Sequence, residues 1–354
     1  MTILVTGATG FLGRHLVALL AEQGVRLRAL VRAGTDPGPL RARGVEIVRG
    51  DVCDDDAVRA AAAGCERVFH LAGVVSHRRR DLPLLRAVNV EGTRRLLAAV
   101  EPGARVVHVS SVAAVGPVPS PERRADERHE LPGAAADLPY AWTKRAGELA
   151  ALEAASAGAD VVVANPGFLL GPGDVHRVST WPVFAYLAGR LRFTTAGGLS
   201  FVDARDVARG LVALADRGRA GERTILAAEA GNLGWDAFFA LVAEVSGVRR
   251  RSVRLPASLA VRAAAAAPWL VHADEVRAAS HWWFCDGSKA ERELGFRARP
   301  LAETVADTLA DSPAGIRSFP DVRALRRVYA RSGARAQVPF DRMEEVGCGR
   351  ERRG

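Results

Sequence analysis

TILVTGATGFLGR, residues 2–14, joins a short apolar run rich in β-branched residues to glycines at Gly7, Gly10 and Gly13. An amphipathic pattern then begins and continues through Leu16, Leu19 and Leu20. The three parts read as a buried strand, a tight turn and a helix. Glycine in such a turn permits positive φ and lets the backbone come close to a pyrophosphate, which the free N–H groups and positive end of the following helix attract. The spacing is G-x-x-G-x-x-G, a loose match to the G-x-G-x-x-G of dinucleotide-binding turns.

Outward from this unit, strand patterns near residues 3–5, 27–31, 46–48, 68–71, 106–109 and 161–164 alternate with helical ones. Such alternation predicts an α/β fold, a doubly wound parallel sheet covered on both faces. Ligands bind beyond the carboxyl ends of strands of this kind, and Gly7, Gly73, Ser111 and Asn165 all fall there. After residue 166 the pattern is mixed, with helices predicted near 203–216, 235–245, 255–267 and 288–294. The apolar stretch 259–271 holds Arg262 and Pro268; it is too short for a bilayer span and reads as a buried helix broken at its end. A further helix is expected near 320–332, with a disordered terminus beyond it.

The stretch YAWTK carries the clearest chemistry. Lys144 is one of two lysines in the chain, with Lys289, while the other basic side chains are arginine. Residues four apart on a helix share a face, so the Tyr140 phenol and the Lys144 ammonium can meet. A fixed cation nearby lowers a phenol's pKa, and lysine supplies it as a compact head that arginine does not reproduce.

Composition points to an enzyme rather than a nucleic-acid binder. The chain is 49% hydrophobic and 25% charged over 354 residues, enough for a sizeable core. Its net charge is +9, but residues 315–354 hold ten arginines against five acidic residues, so five of those charges lie there. No aromatic-interleaved basic stripe accompanies them, which argues against nucleic acid. Four cysteines lack metal-ligand or disulfide-framework spacing, and no metal is expected. The chain opens on a strand without a basic and apolar leader, so a cytoplasmic location is expected.

TGATGFLG at Thr6, GDV at Gly50, HLAG at His70, NVEGT at Asn89, HVSSVAAVG at His108, YAWTK at Tyr140 and NPG at Asn165 together resemble the extended short-chain dehydrogenase/reductase family, in family order and spacing. The resemblance covers roughly residues 1–310. It is strongest to the branch of dihydroflavonol reductases, 3β-hydroxysteroid dehydrogenases and hopanoid-associated sugar epimerases. It implies a Rossmann domain over residues 1–165 with returning segments near 195–230, a substrate-binding region over 166–312, and a basic extension over 313–354. Many relatives are dimers, so a homodimer is an expectation.

By the same resemblance, Tyr140 exchanges the proton with the substrate oxygen, Lys144 lowers its pKa and holds the nicotinamide ribose, and Ser111, rather than Ser110, hydrogen-bonds that oxygen. Gly7, Thr9, Gly10, Phe11, Leu12 and Gly13 form the cofactor turn. Asp51 and Val52 lie near the adenine; Leu71, Ala72 and Gly73 pass along the cofactor, and Pro166, Gly167 and Phe168 lie beside the nicotinamide. NAD-preferring members place a carboxylate at the end of the second strand, where this chain has Val31 followed by Arg32. Arg32, helped by Arg14, therefore favours NADP(H) over NAD(H). Asn89 either joins the site or packs its helix on the sheet. HRRR, residues 77–80, is either a solvated loop or a holder of a substrate phosphate or carboxylate.

The expected reaction is NADPH-dependent interconversion of a ketone or aldehyde and an alcohol on a small apolar or polycyclic molecule. The apolar, flap-like stretch 179–193 favours that reading. One alternative is a nucleotide-sugar epimerase or dehydratase, with Arg177, Arg190 and Arg192 as diphosphate ligands. Another is a cofactor-sensing regulatory protein.

Overall fold

The computed structural model describes residues 1–266 and 271–311. The chain runs β1 (Thr2–Thr6), α1 (Phe11–Glu22), β2 (Arg26–Val31), α2 (Gly38–Arg41), β3 (Glu46–Arg49), α3 (Asp55–Ala62), β4 (Arg67–His70), α4 (Leu82–Arg86), α5 (Gly92–Ala99), β5 (Arg105–Val109), α6 (Val112–Val115), α7 (Gly133–Ala136), α8 (Pro139–Ser156) and β6 (Val161–Pro166). It continues through β7 (Phe168–Leu170), α9 (Trp181–Leu187), β8 (Phe193–Thr195), β9 (Gly198–Asp203), α10 (Ala204–Arg217), β10 (Arg223–Leu226), β11 (Asn232–Gly234), α11 (Trp235–Ser246), β12 (Val253–Leu255), α12 (Ala257–Ala266), α13 (Ala273–Ala279), β13 (Trp282–Trp283), α14 (Ser288–Leu294) and α15 (Leu301–Ala310).

Seven strands form one parallel sheet in the order β10-β6-β5-β4-β1-β2-β3. The order turns back at β1, between β4 and β2, which places the switch-point crevice beside the residue 7–13 turn. Val5, Phe69, Val107 and Val162 face α1 and α10, while Leu4, Val68, Val106 and Val163 face α3, α5 and α8. Strands buried on both faces need continuous apolar runs, which explains why these segments are rich in valine. The return to this sheet after residue 203 is made by α10, which packs on α1, and by β10, which pairs with β6.

The later segments build smaller sheets, β11-β9-β13 with β7 on β9, and the pair β12-β8. Val183, Ala185, Tyr186 and Leu187 of α9 are buried there, and Tyr186 stacks on Phe239 with centroids 4.8 Å apart. The stretch expected to act as a flap thus gives half of its apolar residues to a core. The expected buried helix also differs: α12 buries only Ala260 and Ala264, and Leu259 is 51% exposed, because its apolar residues spread around the helix instead of forming one stripe. Residues 267–270 of that stretch, and the helix expected at 320–332, lie outside the described residues. No helix among the described residues is long and apolar enough to cross a membrane.

Candidate active site

Gly7 makes the first turn possible. Its φ is +71°, and an added Cβ would lie 2.7 Å from the Leu71 carbonyl carbon. The turn closes with Gly10 donating to the Gly7 carbonyl at 3.0 Å. Gly13 brings α1 against the same carbonyl, which its Cβ would approach to 2.2 Å. Helix α1 therefore starts directly after the turn, with no side-chain cap and no acidic residue in its first turn. Its free amide end suits an anionic group.

A chain of neutral hydrogen bonds fixes the next loop. Thr93 Oγ1 donates to the Asn89 carbonyl at 2.9 Å and so accepts from His70 Nε2 at 3.1 Å. His70 Nδ1 then accepts from Thr6 Oγ1 at 2.8 Å, and Thr6 Oγ1 accepts the Ala72 N–H at 3.2 Å. Burial, then the Lys144 charge, lowers His70 to about 3, so the ring stays neutral and the relay keeps one tautomer. Leu71 and Ala72 are thereby pinned beside Gly7, and Gly73 is exposed.

Asn89 sits in a π-helical turn, residues 87–91, and accepts from Val74 N at 2.8 Å while donating to Val74 O at 3.0 Å and to Thr143 Oγ1 at 3.3 Å. Of its two expected roles, these contacts make it a clamp between the loop after β4 and helix α8.

Helix α8 starts at Pro139, a residue suited to the first helical position because its missing N–H is not needed there. Tyr140 and Lys144 follow on one face. The Ser111 hydroxyl lies near the Tyr140 phenol and accepts the Ala113 N–H at 3.1 Å as the N-cap of α6. Ser110 is different: its Oγ is buried without a hydrogen-bond partner among the described residues. Lys144 donates to the Val109 carbonyl at 2.8 Å, and an added Cβ on Gly73 would lie 3.9 Å from its Nζ. Burial lowers Lys144 to about 8, against an opposing pull from Glu148.

The Tyr140 pKa is raised by burial, with the Ser111 hydrogen bond acting against it. Its direction is opposite to the lowering expected from the sequence, because desolvation of the phenolate outweighs the opposing effect of the Ser111 hydroxyl.

Tyr140 packs on an apolar group that includes Leu131, Leu138, Ala278, Trp283 and Leu199. His77 lies edge-on to its ring at 5.9 Å, a neighbour that the HRRR loop only hinted at. The arginines of that loop are paired: Arg78 with Glu275 at 3.8 Å, Arg79 with Asp137 at 3.8 Å and Arg80 with Asp81 at 3.7 Å.

The remaining candidate cofactor residues lie at or beyond the carboxyl ends of β1, β3 and β6. Thr9 accepts from Arg14 Nε at 2.9 Å, Phe11 packs edge-on to His15, and Leu12 is buried. Asp51 Oδ1 accepts the Cys53 N–H at 2.9 Å, and Val52 is buried. Pro166 ends β6, Gly167 N donates to Leu226 O at 3.1 Å, and the Phe168 ring turns toward Phe201 at 5.5 Å. Arg14 and Arg32 are exposed, and among the described residues neither pairs with a carboxylate. Of the diphosphate candidates, Arg177 lies over the Phe184 ring, and Arg190 and Arg192 are exposed.

Residues 3–228 match the NAD dependent epimerase/dehydratase family. The chain belongs to that family. Two relatives are similar over nearly their whole lengths. A Synechocystis protein provisionally named dihydroflavonol 4-reductase is 33% identical over 86% of this chain and 92% of its own. A Stigmatella aurantiaca 4-hydroxy-2-methyl-3-oxo-4-farnesyl-3,4-dihydroquinoline-1-oxide ketoreductase is 30% identical over 90% and 99%. Among solved structures, PA4631, a nucleoside-diphosphate-sugar epimerase from Pseudomonas aeruginosa, superposes with a TM-score of 0.74 at 25% identity, over 90% of this chain and 99% of its own. As an extended short-chain dehydrogenase/reductase, this family member is an NAD(P)-dependent enzyme of the oxidoreductase class.

Proposed function

We propose that the protein is an NADP(H)-dependent reductase that converts a ketone or aldehyde on a small apolar or polycyclic molecule to the alcohol, or runs the reverse oxidation. The observation that carries this reading is the placing of Tyr140 against an apolar wall, one helical turn from the buried Lys144 and near the Ser111 hydroxyl. A phenol whose pKa burial has raised is protonated at neutral pH, which suits it to deliver a proton to an oxygen gaining negative charge. Ser111 would hold that oxygen, and the Lys144 charge would stabilise the phenolate left behind. Bound nicotinamide would supply or accept the hydride.

The residue 7–13 turn and the amide end of α1 would hold the cofactor pyrophosphate, with Asp51 and Val52 on the adenine side. Residues 71–73 and 166–168 would flank the rest, and Lys144 would hold the ribose. Arg14 and Arg32, exposed and with no carboxylate partner among the described residues, would supply the cations a 2′-phosphate needs, which supports NADP(H). The apolar wall and the relatives named as reductases favour a ketone over a nucleotide sugar, since the arginines of the 77–80 loop, whose His77 lies against Tyr140, are already matched to carboxylates.

The test uses NADPH deuterated at C4, each diastereomer separately, with panels of ketones and nucleotide sugars followed by mass spectrometry. Deuterium in a reduced product, with NADP⁺ formed in step, is the expected result. Conversion of a nucleotide sugar without net NADPH consumption would overturn the reading in favour of an epimerase or dehydratase.

A further inference from the structure

Helix α8 buries one more charged side chain behind its Tyr140 and Lys144 face. Glu148 follows Lys144 by four positions, one turn along the same face, and is 0% exposed. Its Oε2 accepts from Asn165 Nδ2 at 2.6 Å, and the same Nδ2 donates to the Ser111 carbonyl at 3.0 Å. Its Oε1 accepts from Arg223 Nη1 at 2.9 Å and Arg145 Nη1 at 3.0 Å. Arg223, itself 8% exposed, is anchored from outside by the Glu127 and His129 carbonyls.

The titratable groups facing the Lys144 ammonium are few. His70 comes from β4 and His108 from β5, with ring centroids 5.5 Å apart, and Tyr140 and Glu148 come from its own helix. Burial keeps both imidazoles and the phenol uncharged at neutral pH. Glu148 is the one anion in that set. A buried carboxylate is costly unless it is paired and hydrogen-bonded, and this one has donors from three elements.

We propose that Glu148 is a positioning residue for the reductive site: its buried carboxylate, ion-paired to Arg145 and Arg223 one helical turn beyond Lys144, offsets positive charge behind the ammonium, and through Asn165 it ties the Ser111 backbone to α8. The role in turnover rests on the reaction proposed above, while the coupling to Lys144 does not. One carboxylate thus links α8, the serine-bearing strand end and the strand that leads into Pro166. A role limited to anchoring Arg223 would leave the charge on Lys144 unaffected.

With two lysines in the chain, ¹³Cε-lysine NMR of the full-length protein gives two titration curves, and Lys289→Arg assigns them. The Lys144 midpoint, about 8 in the parent, is expected to fall by about one unit or more in Glu148→Gln while Lys289 stays put. The alkaline limb of kcat/KM should fall with it. An unmoved Lys144 midpoint in folded Glu148→Gln overturns the proposal. Should that variant not fold, Arg145→Gln decides: it removes a cation that competes for Glu148, so the Lys144 midpoint should rise, and no rise overturns the proposal. A shifted lysine in a protein that reduces no carbonyl would sink only the reaction proposed above.

Discussion

Gly147 is the point where the catalytic helix touches the π-helical turn, and Gly147→Ala tests whether that contact sets the site. An added Cβ would sit 2.2 Å from the Asn89 carbonyl oxygen, well short of any ordinary contact, and 3.6 Å from Thr93 Oγ1. The obstacle is backbone, so α8 or the turn must move by about 1 Å, the scale at which misplaced catalytic groups lose roughly a hundredfold in rate. Overpacking costs about 1–3 kcal/mol, and alanine's better helix propensity returns about 1 kcal/mol. A net loss of up to about 2 kcal/mol should lower Tm by up to roughly 3 °C in a chain of this size. Thermal unfolding and steady-state turnover measure the two effects, with Gly133→Ala as control, since an added Cβ there meets nothing within 4 Å. A Gly147→Ala protein with unchanged Tm and turnover would refute the reasoning.

Tyr140→Phe should lower turnover by roughly 10²- to 10⁴-fold, the usual worth of a positioned acid. Cofactor binding followed by fluorescence should be unchanged, and loss of binding would show that the phenol's role is structural. Arg32→Ala should weaken NADPH binding by about ten- to a hundredfold, since a hydrogen bond to a charged group is worth about 1.5–3 kcal/mol, and leave NADH nearly unaffected; equal losses for both cofactors would contradict the phosphate role. Lys144→Met should abolish turnover yet unfold at an equal or higher Tm at pH 7. Burial lowers Lys144 to about 8 from its ordinary 10.5, so its charge costs stability at neutral pH and that cost is relieved as pH rises from about 8 toward 10.5. The parent should gain stability over that window relative to Lys144→Met, and parallel pH profiles of Tm would contradict this.

Much of the fold is legible in local patterns because the decisive constraints are local. The residue 2–14 turn needs glycines whatever surrounds it, and strands buried on both faces need the valine runs that mark them. The Tyr140 and Lys144 spacing is likewise a property of one helix. What stayed open depends on partners far along the chain. Asn89 reads equally as a site residue or a packing residue until Val74 and Thr143 are brought against it. HRRR reads as a solvated loop or an anion holder until Glu275, nearly two hundred residues later, pairs with Arg78. Residues 259–271 read as a buried helix because apolar content alone does not say how much of its surface a neighbour covers.

Glu148 shows why such residues escape a sequence reading. In YAWTKRAGE it sits three residues after Arg145, an arrangement that normally marks a solvated helix face. Only Arg223, from a strand at the far edge of the sheet, and Asn165, from the strand beside it, turn that position inward. The direction of the Tyr140 shift has the same origin. Sequence spacing placed a cation near the phenol, whereas the apolar wall of Leu131, Trp283 and Leu199 comes from three separate segments and its desolvation wins. Burial that raises the tyrosine also lowers the lysine, so two groups of nearly equal ordinary proton affinity are driven apart. A neutral acid beside a still-charged ammonium is the protonation state a carbonyl reduction needs at neutral pH, and a carboxylate behind the ammonium is what lets burial proceed without discharging it.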